Sequence, residues 1–156
     1  CPTLNGVYKL SAVEKEGELV PRIKISDNTG KITTPGFKTV WRLFDREVGK
    51  AIADVVTLNE EELDQNAPYE LFDPIHTWKR KTVDNFVARR LLQPIFVNGQ
   101  CVYSSPTLPE IQSYCRSQIS SLWEEVTRFE NPHHYYVDMS QKLWDLRQEL
   151  LTKFSK

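Results

Sequence analysis

Glycine is scarce in this sequence, and its few occurrences are widely separated. Only six glycines occur among 156 residues, and none falls in the GxGxxG or GxxxxGK spacing of phosphate-binding loops. Such loops need several glycines because the backbone must approach the phosphates closely. The sequence therefore lacks a nucleotide-binding loop, and we predict that it does not carry a complete active site of its own.

Cysteine is also scarce, and neither charge sign dominates. Cys1, Cys101 and Cys115 form an odd set without a close pair, which argues against a disulfide framework and a zinc knuckle. We expect three reduced thiols in a cytoplasmic protein, with Cys115 in the core. A net charge of −1 excludes a whole-chain basic field for nucleic acid. No apolar run approaches the roughly 18–20 residues that span a bilayer, so we expect no membrane partner either.

The first residues resemble neither a natural start nor a secretory signal. The chain begins with Cys1, its single methionine is Met139, and the N-terminus has no basic and apolar regions of a signal peptide. Strand-like sequence also starts within a few residues. We interpret the chain as the C-terminal part of a larger enzyme.

The pattern of apolar residues predicts an α+β fold in one domain, residues 1–156. Short β-rich runs separated by polar turns favour an antiparallel meander in the first part. Asn98-Gly99 between two β-rich runs predicts a hairpin. The predicted parts are strands within residues 1–58 (7–13, 20–26, 39–45 and 49–58), an ordered loop at 59–78, a β-hairpin region at 79–104 and two helices at 107–156.

The last third is predicted to be a helical hairpin packed on the sheet. Thr107 and Glu110 have the spacing of a capping box. An apolar stripe follows as far as Phe129, and Asn131-Pro132 ends this helix. A second helix is predicted to begin near Ser140, with leucines and Phe154 on one face.

Histidines and acidic residues give weak signals for chemistry. His76 lies between Pro74 and Trp78 and is interpreted either as a satisfied loop histidine or as a general acid or base, with the first favoured because no nucleophile can be paired with it. His133 and His134 are adjacent, so one metal cannot easily take both, and an inter-helix loop is favoured. The carboxylates at 60–64 are interpreted as a solvated turn. We predict no catalytic residue, no cofactor-binding residue and no metal ligand.

Five basic residues are the best candidates for contact with an anion or a partner surface. They are Lys79, Arg80, Lys81, Arg89 and Arg90. Such a surface could steer phosphates or pair with an acidic partner. The alternative is a solvated edge strand, because lysine on an edge blocks aggregation.

Several strings, in order and over nearly the whole chain, resemble the segment that follows the catalytic barrel of nicotinate phosphoribosyltransferases. They are GVYKL at 6–10, PRIKIS at 21–26, GKITTPG at 30–36, LFDPIHTWKRKTV at 71–83 and NPHHYYVDMSQKLWDL at 131–146. The resemblance implies a cytoplasmic, commonly dimeric NAD-salvage enzyme, an ATP-coupled ligase or glycosyltransferase that uses Mg²⁺ and makes nicotinate mononucleotide from nicotinate and phosphoribosyl pyrophosphate. It implies the enzyme's N-terminal and barrel domains as partners, and no catalytic residue is carried over.

Two alternative functions stay open at this point. One is a stand-alone module that binds a protein or an anion through the basic segment Lys79–Arg90. The other is a regulatory site for ATP or NAD, suggested by the basic residues beside Trp78.

Overall fold

A computed structural model describes residues 6–154 of the chain. It contains strands β1 (Ala12–Lys15), β2 (Glu18–Pro21), β3 (Lys38–Asp45), β4 (Ala51–Leu58), β5 (Tyr69–Phe72), β6 (Arg80–Val83), β7 (Phe86–Arg90), β8 (Phe96–Val97), β9 (Gln100–Cys101) and β10 (Val137–Met139). The helices are α1 (Leu108–Ser120), α2 (Glu124–Thr127) and α3 (Gln141–Phe154), and a 3-10 turn lies at Thr29–Lys31. The α+β class is confirmed. No described helix is long and apolar enough to cross a membrane.

The largest sheet has four strands in the order β10-β4-β3-β7. β3 pairs antiparallel with both β4 and β7, whereas β10 pairs parallel with β4. The centre of β4 is buried on consecutive residues, as expected for a strand that is covered on both faces. The core cluster consists of Leu43, Ala53, Val55, Leu71, Val83 and Phe86.

A partly buried ion pair joins the two longest strands. Arg42 and Asp54 are direct register partners on β3 and β4. Arg42 donates from Nε and Nη2 to the two carboxylate oxygens of Asp54, at 2.8 and 2.9 Å. The hydroxyl of Tyr135 donates to Oδ1 of Asp54 at 3.0 Å, and the amide of Asp54 donates to the carbonyl of Tyr136 at 3.0 Å. The pair therefore also holds the segment that leads into β10.

This network shifts the pKa values of Arg42 and Tyr135. The bidentate bond to Asp54 raises the pKa of Arg42 above its ordinary value. Burial, and then the charge of Asp54, raises the pKa of the Tyr135 hydroxyl. Both groups therefore keep their protons at any ordinary pH, and the hydrogen bonds of the network persist.

The predicted strands at 39–45 and 49–58 are confirmed, but those at 7–13 and 20–26 are wrong in their extent. The strands there cover only Ala12–Lys15 and Glu18–Pro21, which flank a tight turn at Glu16 and Gly17. Between Pro21 and Lys38 the described chain contains no strand. It bonds there through single contacts, such as the amide of Thr33 donating to the carbonyl of Lys24 at 3.2 Å. The alternation of apolar residues at 20–26 therefore did not indicate a strand over its whole length.

The region 59–104 contains more strand than the sequence indicated. The predicted loop at 59–78 is wrong at β5, which pairs with β6, and β7 was not predicted. The Asn98-Gly99 hairpin is confirmed, with φ of 49° and 77° at its two turn residues. The β-rich run before this turn, residues 91–97, forms a strand only at Phe96–Val97, because Pro94 has no amide hydrogen for a sheet bond.

The capping box at Thr107 and Glu110 is confirmed, since Glu110 accepts the Thr107 amide hydrogen at 2.7 Å. The helix ends at Ser120, well before Phe129, and contains no buried residue. Cys115 was predicted to be in the core and is exposed; Cys101 is exposed and also free, while Cys1 lies outside the described residues.

The helix predicted to begin near Ser140 is confirmed as α3. The Ser140 hydroxyl accepts the amide hydrogen of Leu143 at 3.2 Å, and Leu143 and Leu150 are buried. Phe154, predicted on the same face, is exposed. α2 and the unpredicted strand β10 intervene between α1 and α3.

Gly36 lies where the chain approaches both the sheet and α3. Its φ is +88°, and an added Cβ would lie 2.7 Å from Cδ2 of Leu58 and 3.4 Å from Cδ2 of Leu146. We expect Gly36→Ala to lower the free energy of unfolding by about 2–4 kcal/mol, from backbone strain and overpacking together. Urea denaturation followed by circular dichroism measures this change.

Gly49 provides the matched control for that substitution. Its φ is +68°, but an added Cβ would meet nothing within 4 Å. Gly49→Ala should therefore cost only the backbone strain, about 1 kcal/mol. Equal losses for the two variants would show that the contact with Leu58 and Leu146 contributes nothing.

Candidate functional site

A cavity of about 460 Å³ lies between β4, β6 and β10. We call it the Asp138 cavity. Its apolar wall comes from Ile52, Ala53 and Leu71, and its polar lining from Asp73, Asp138 and the segment Trp78–Lys81. Four of the six candidate residues from the sequence, His76 and Lys79 to Lys81, belong to this cavity or to the turn beside it.

His76 belongs to a tight turn between β5 and β6. Oδ1 of Asp73 accepts the amide hydrogens of Ile75 at 2.7 Å and of His76 at 3.1 Å. Oδ2 of Asp73 lies 3.0 Å from Nδ1 of His76. The imidazole contact, followed by the amide bonds, lowers the pKa of Asp73 to about 2. His76 thus closes the turn, with its ring edge against Trp78 at 5.2 Å between centroids.

The three basic residues at 79–81 differ in the contacts that their side chains make. Arg80 pairs with Glu70 on the neighbouring strand and lies 5.0 Å over the ring of Phe72. Lys79 and Lys81 are exposed, and within residues 6–154 neither ammonium group has a hydrogen bond or an ion pair. Two cations at this cavity therefore remain available.

Arg89 and Arg90 lie elsewhere, on opposite sides of β7. Arg90 donates to Glu62 at 2.6 Å and lies 4.6 Å over the ring of Trp41. Arg89 donates to Gln118 of α1 at 2.8 Å and lies 4.9 Å over the ring of Phe44. Both line a separate cavity of about 760 Å³ against α1. The five basic residues therefore do not converge on one cavity, and both arginines are already engaged in packing.

The acidic turn at 59–64 is only partly solvated. Glu61 accepts the amide hydrogen of Leu58 and the hydroxyl hydrogen of Ser140, both at 2.7 Å. It therefore ties the end of β4 to the start of α3. Glu62 pairs with Arg90, so these carboxylates fasten neighbouring elements together.

His133 and His134 are exposed and line another open cavity, of about 550 Å³. The amide of His133 donates to the carbonyl of Glu125 at 2.6 Å, and the ring of His134 lies 6.2 Å from that of Tyr136. Among residues 6–154, no group of three or more His, Cys, Asp or Glu side chains is placed to hold a metal ion.

Asp138 is the site residue that sequence reasoning missed. It lies on β10 and is only 5% exposed. Its carboxylate accepts no hydrogen bond from the residues that the structure describes. Its oxygens keep a small contact with solvent, because no fully buried side-chain oxygen among those residues lacks a partner. Burial, and then the charge of Asp73, raises its pKa to about 6. The only signal in the sequence was a single aspartate between Val137 and Met139, which does not reveal what lies opposite it.

Comparisons with known proteins agree on one family. A family model described as the nicotinate phosphoribosyltransferase C-terminal domain matches residues 37–147. The chain is 38% identical over 148 residues to nicotinate phosphoribosyltransferase of Bacillus subtilis (strain 168), and this match covers 95% of the chain and 30% of that relative. It is 31% identical to the Homo sapiens protein of the same name, with 96% of the chain and 27% of the relative covered.

A solved structure leads to the same family. The crystal structure of human nicotinic acid phosphoribosyltransferase matches with a TM-score of 0.59 and 26% identity, over 89% of this chain and 26% of that chain. The chain thus spans between a quarter and a third of the length of the relatives that it matches.

Asp138 makes stability depend on pH. The folded state holds the Asp138 proton up to about pH 6, whereas an ordinary aspartate releases it near 3.8. The unfolded state therefore binds fewer protons in this window, and we expect the free energy of unfolding to fall by on the order of 1–3 kcal/mol as pH rises from 4 to 7. Urea titrations at several pH values measure this loss.

Asp138→Asn should remove that loss and be more stable than the unchanged chain at pH 7. Asp84→Asn, which changes an exposed aspartate, is the control and should keep the pH profile. Asp73 affects stability at lower pH and with the opposite sign. Because its pKa is lowered to about 2 in the folded state, its contribution to the free energy of unfolding is lost as pH falls below 4. Identical profiles between pH 4 and 7 for Asp138→Asn and the unchanged chain would contradict the assignment.

Proposed function

The chain belongs to the nicotinate phosphoribosyltransferase family as a C-terminal domain, and we propose that it supports such an enzyme without carrying its catalytic groups. The observation that carries this proposal is the family match over residues 37–147, combined with the small share of each relative that the chain spans. The catalytic part then corresponds to the remaining length of those relatives.

The activity proposed for the whole enzyme is that of its relatives. It would form nicotinate mononucleotide from nicotinate and phosphoribosyl pyrophosphate, coupled to ATP hydrolysis with Mg²⁺, in the cytoplasm and as a homodimer. Phosphoribosyl transfer requires groups that cradle phosphates and stabilise charge in a site that excludes water. The glycine-poor sequence has no phosphate-binding loop. This agrees with a domain that does not provide the catalytic groups.

An exposed apolar surface suggests how the domain contacts the rest of the enzyme. We define the α1 face as α1 together with the β8–β9 hairpin and their connection. Large apolar side chains exposed there are Phe96, Val97, Val102, Tyr103, Leu108, Ile111, Tyr114 and Ile119. Contiguous apolar surface of this kind marks interaction sites.

The occupant proposed for the α1 face is the catalytic part of the same enzyme. Most of the length of each relative lies outside the matched segment, so a large folded body is available to cover this surface. α1 has no buried residue within the described chain, although its apolar residues recur at helical spacing. Packing against the catalytic part would bury that stripe and add interface area.

The first test is turnover by the 156-residue chain alone. We expect no nicotinate mononucleotide when nicotinate, phosphoribosyl pyrophosphate, ATP and Mg²⁺ are supplied, because the sequence has no glycine-rich phosphate-binding loop. Chromatography with mass detection measures the product, and the full-length Bacillus subtilis enzyme serves as the positive control. Product above the background of a boiled sample would overturn the supporting role.

The second test places a charge on the α1 face. Ile111 is 48% exposed in the described chain, so Ile111→Glu should change the stability of the isolated chain by less than about 0.5 kcal/mol. In the longer enzyme the same change buries a charge, and we expect activity and melting temperature to fall. Gln112→Glu, which alters an exposed neighbour, should leave both unchanged. Equal behaviour of the two variants in the longer enzyme would exclude this face as the contact.

A further inference from the structure

The charged groups at the Asp138 cavity divide into those with partners and those without. Asp73 is engaged with His76, and Arg80 is engaged with Glu70. Asp138, Lys79 and Lys81 have no hydrogen bond or ion pair from their side chains within residues 6–154. The cavity therefore presents one free carboxylate and two free ammonium groups that form no ion pair with one another.

The carboxylate and the ammonium groups occupy different depths. Asp138 is 5% exposed, whereas Lys79 and Lys81 are exposed at the opening. A carboxylate with so little contact with water and no protein partner is poorly solvated, and a bound cationic group would stabilise its charged form. The volume of about 460 Å³ lies within the usual range of sites for small molecules, about 300–1,000 Å³.

Ligands of a single charge fit this arrangement poorly. A simple anion would be attracted by the lysines but repelled by Asp138 and Asp73. A simple cation would pair with Asp138 but would be repelled by Lys79, Arg80 and Lys81. A metal ion would find only one free carboxylate, because Asp73 is bound to His76. A molecule with both charges satisfies all three free groups.

We propose that the Asp138 cavity binds a small zwitterionic molecule, whose ammonium group pairs with Asp138 and whose anionic group contacts Lys79 and Lys81. Ile52, Ala53 and Leu71 provide an apolar wall for the linker between the two charges. Trp78, which is 74% exposed, lies at the opening, where it can cover the bound molecule. This site does not depend on the function proposed for the parent enzyme.

The ionisation of Asp138 adds a pH dependence to this binding. Charged or titratable groups lie around Asp138. They are Tyr69 of β5 and Asp73 of the turn after it, Lys79 just before β6 with Arg80 and Lys81 on β6, and Tyr136 just before β10. Asp54 on β4 is neutralised by Arg42. Since burial raises the pKa of Asp138 to about 6, about a tenth of it is ionised at pH 5, and binding should be about tenfold weaker there than at pH 7.5.

Calorimetric titration of the 156-residue chain with phosphoethanolamine and with β-alanine tests the proposal. We expect at least one of them to bind with a Kd below about 1 mM at pH 7.5, and the tighter one identifies the preferred anionic group. Ethanolamine alone and inorganic phosphate alone should bind at least tenfold more weakly. The pH dependence is measured with β-alanine, since its carboxylate stays ionised between pH 5 and 7.5.

Two variants locate the binding to the cavity. Asp138→Asn and the double variant Lys79→Ala/Lys81→Ala should each weaken binding at least tenfold, while Asp84→Asn, outside the cavity lining, should not. The lysine variant alters only exposed side chains, so it stays informative if Asp138→Asn fails to fold. No saturable heat up to 10 mM of either zwitterion (roughly a tenfold excess over the expected Kd), or unchanged binding in the lysine variant, would overturn the proposal.

Discussion

The partly buried pair of Arg42 and Asp54 is the interaction on which the rest of the structure depends. The two residues are direct neighbours across β3 and β4, and Tyr135 adds a third bond to the same carboxylate. A slip of one residue in this pairing would turn the side chains of the shifted strand to the other face and separate two partly buried charges. The pair therefore fixes the register of the central strands more strictly than apolar packing could.

That register positions the remaining elements. Because the segment at Tyr135 and Tyr136 is bonded to Asp54, β10 continues along β4 in parallel, with Asp138 beside Val55. Ser140 then bonds to Glu61 and caps α3. The wall of the Asp138 cavity comes from β4, and its carboxylate comes from β10. A single ion pair and its tyrosine thus determine where the cavity forms.

The sequence predicted the elements whose signals are local and missed those that depend on distant partners. β3 and β4, the turn at Asn98-Gly99 and the capping box at Thr107 carry their own patterns. β10 is three residues long and exists only because β4 lies beside it, and β5 has two adjacent buried residues instead of an alternation. Cys115 was placed in the core because a helical stripe does not reveal whether anything covers it. Lys79 to Lys81 were identified as candidates, whereas Asp138 was not, since its burial results from a parallel pairing some eighty residues apart in sequence.

The lack of burial along α1 has a consequence for how the chain is held together. A helix of 13 residues is marginal in water without tertiary support, since nucleation costs about as much as such a length returns. Within the described residues it is supported by its capping box, by its contact with Arg89, and by bonds from Lys50 and Ala51 to the carbonyls of Ser120 and Ser121 at its end. Because no residue of α1 is buried, we expect the helix to have a lower local stability than the central sheet. Another protein surface that covers α1 would also stabilise the helix. Docking and helix formation would then be coupled, and the ordering of the helix would reduce the net free energy of binding.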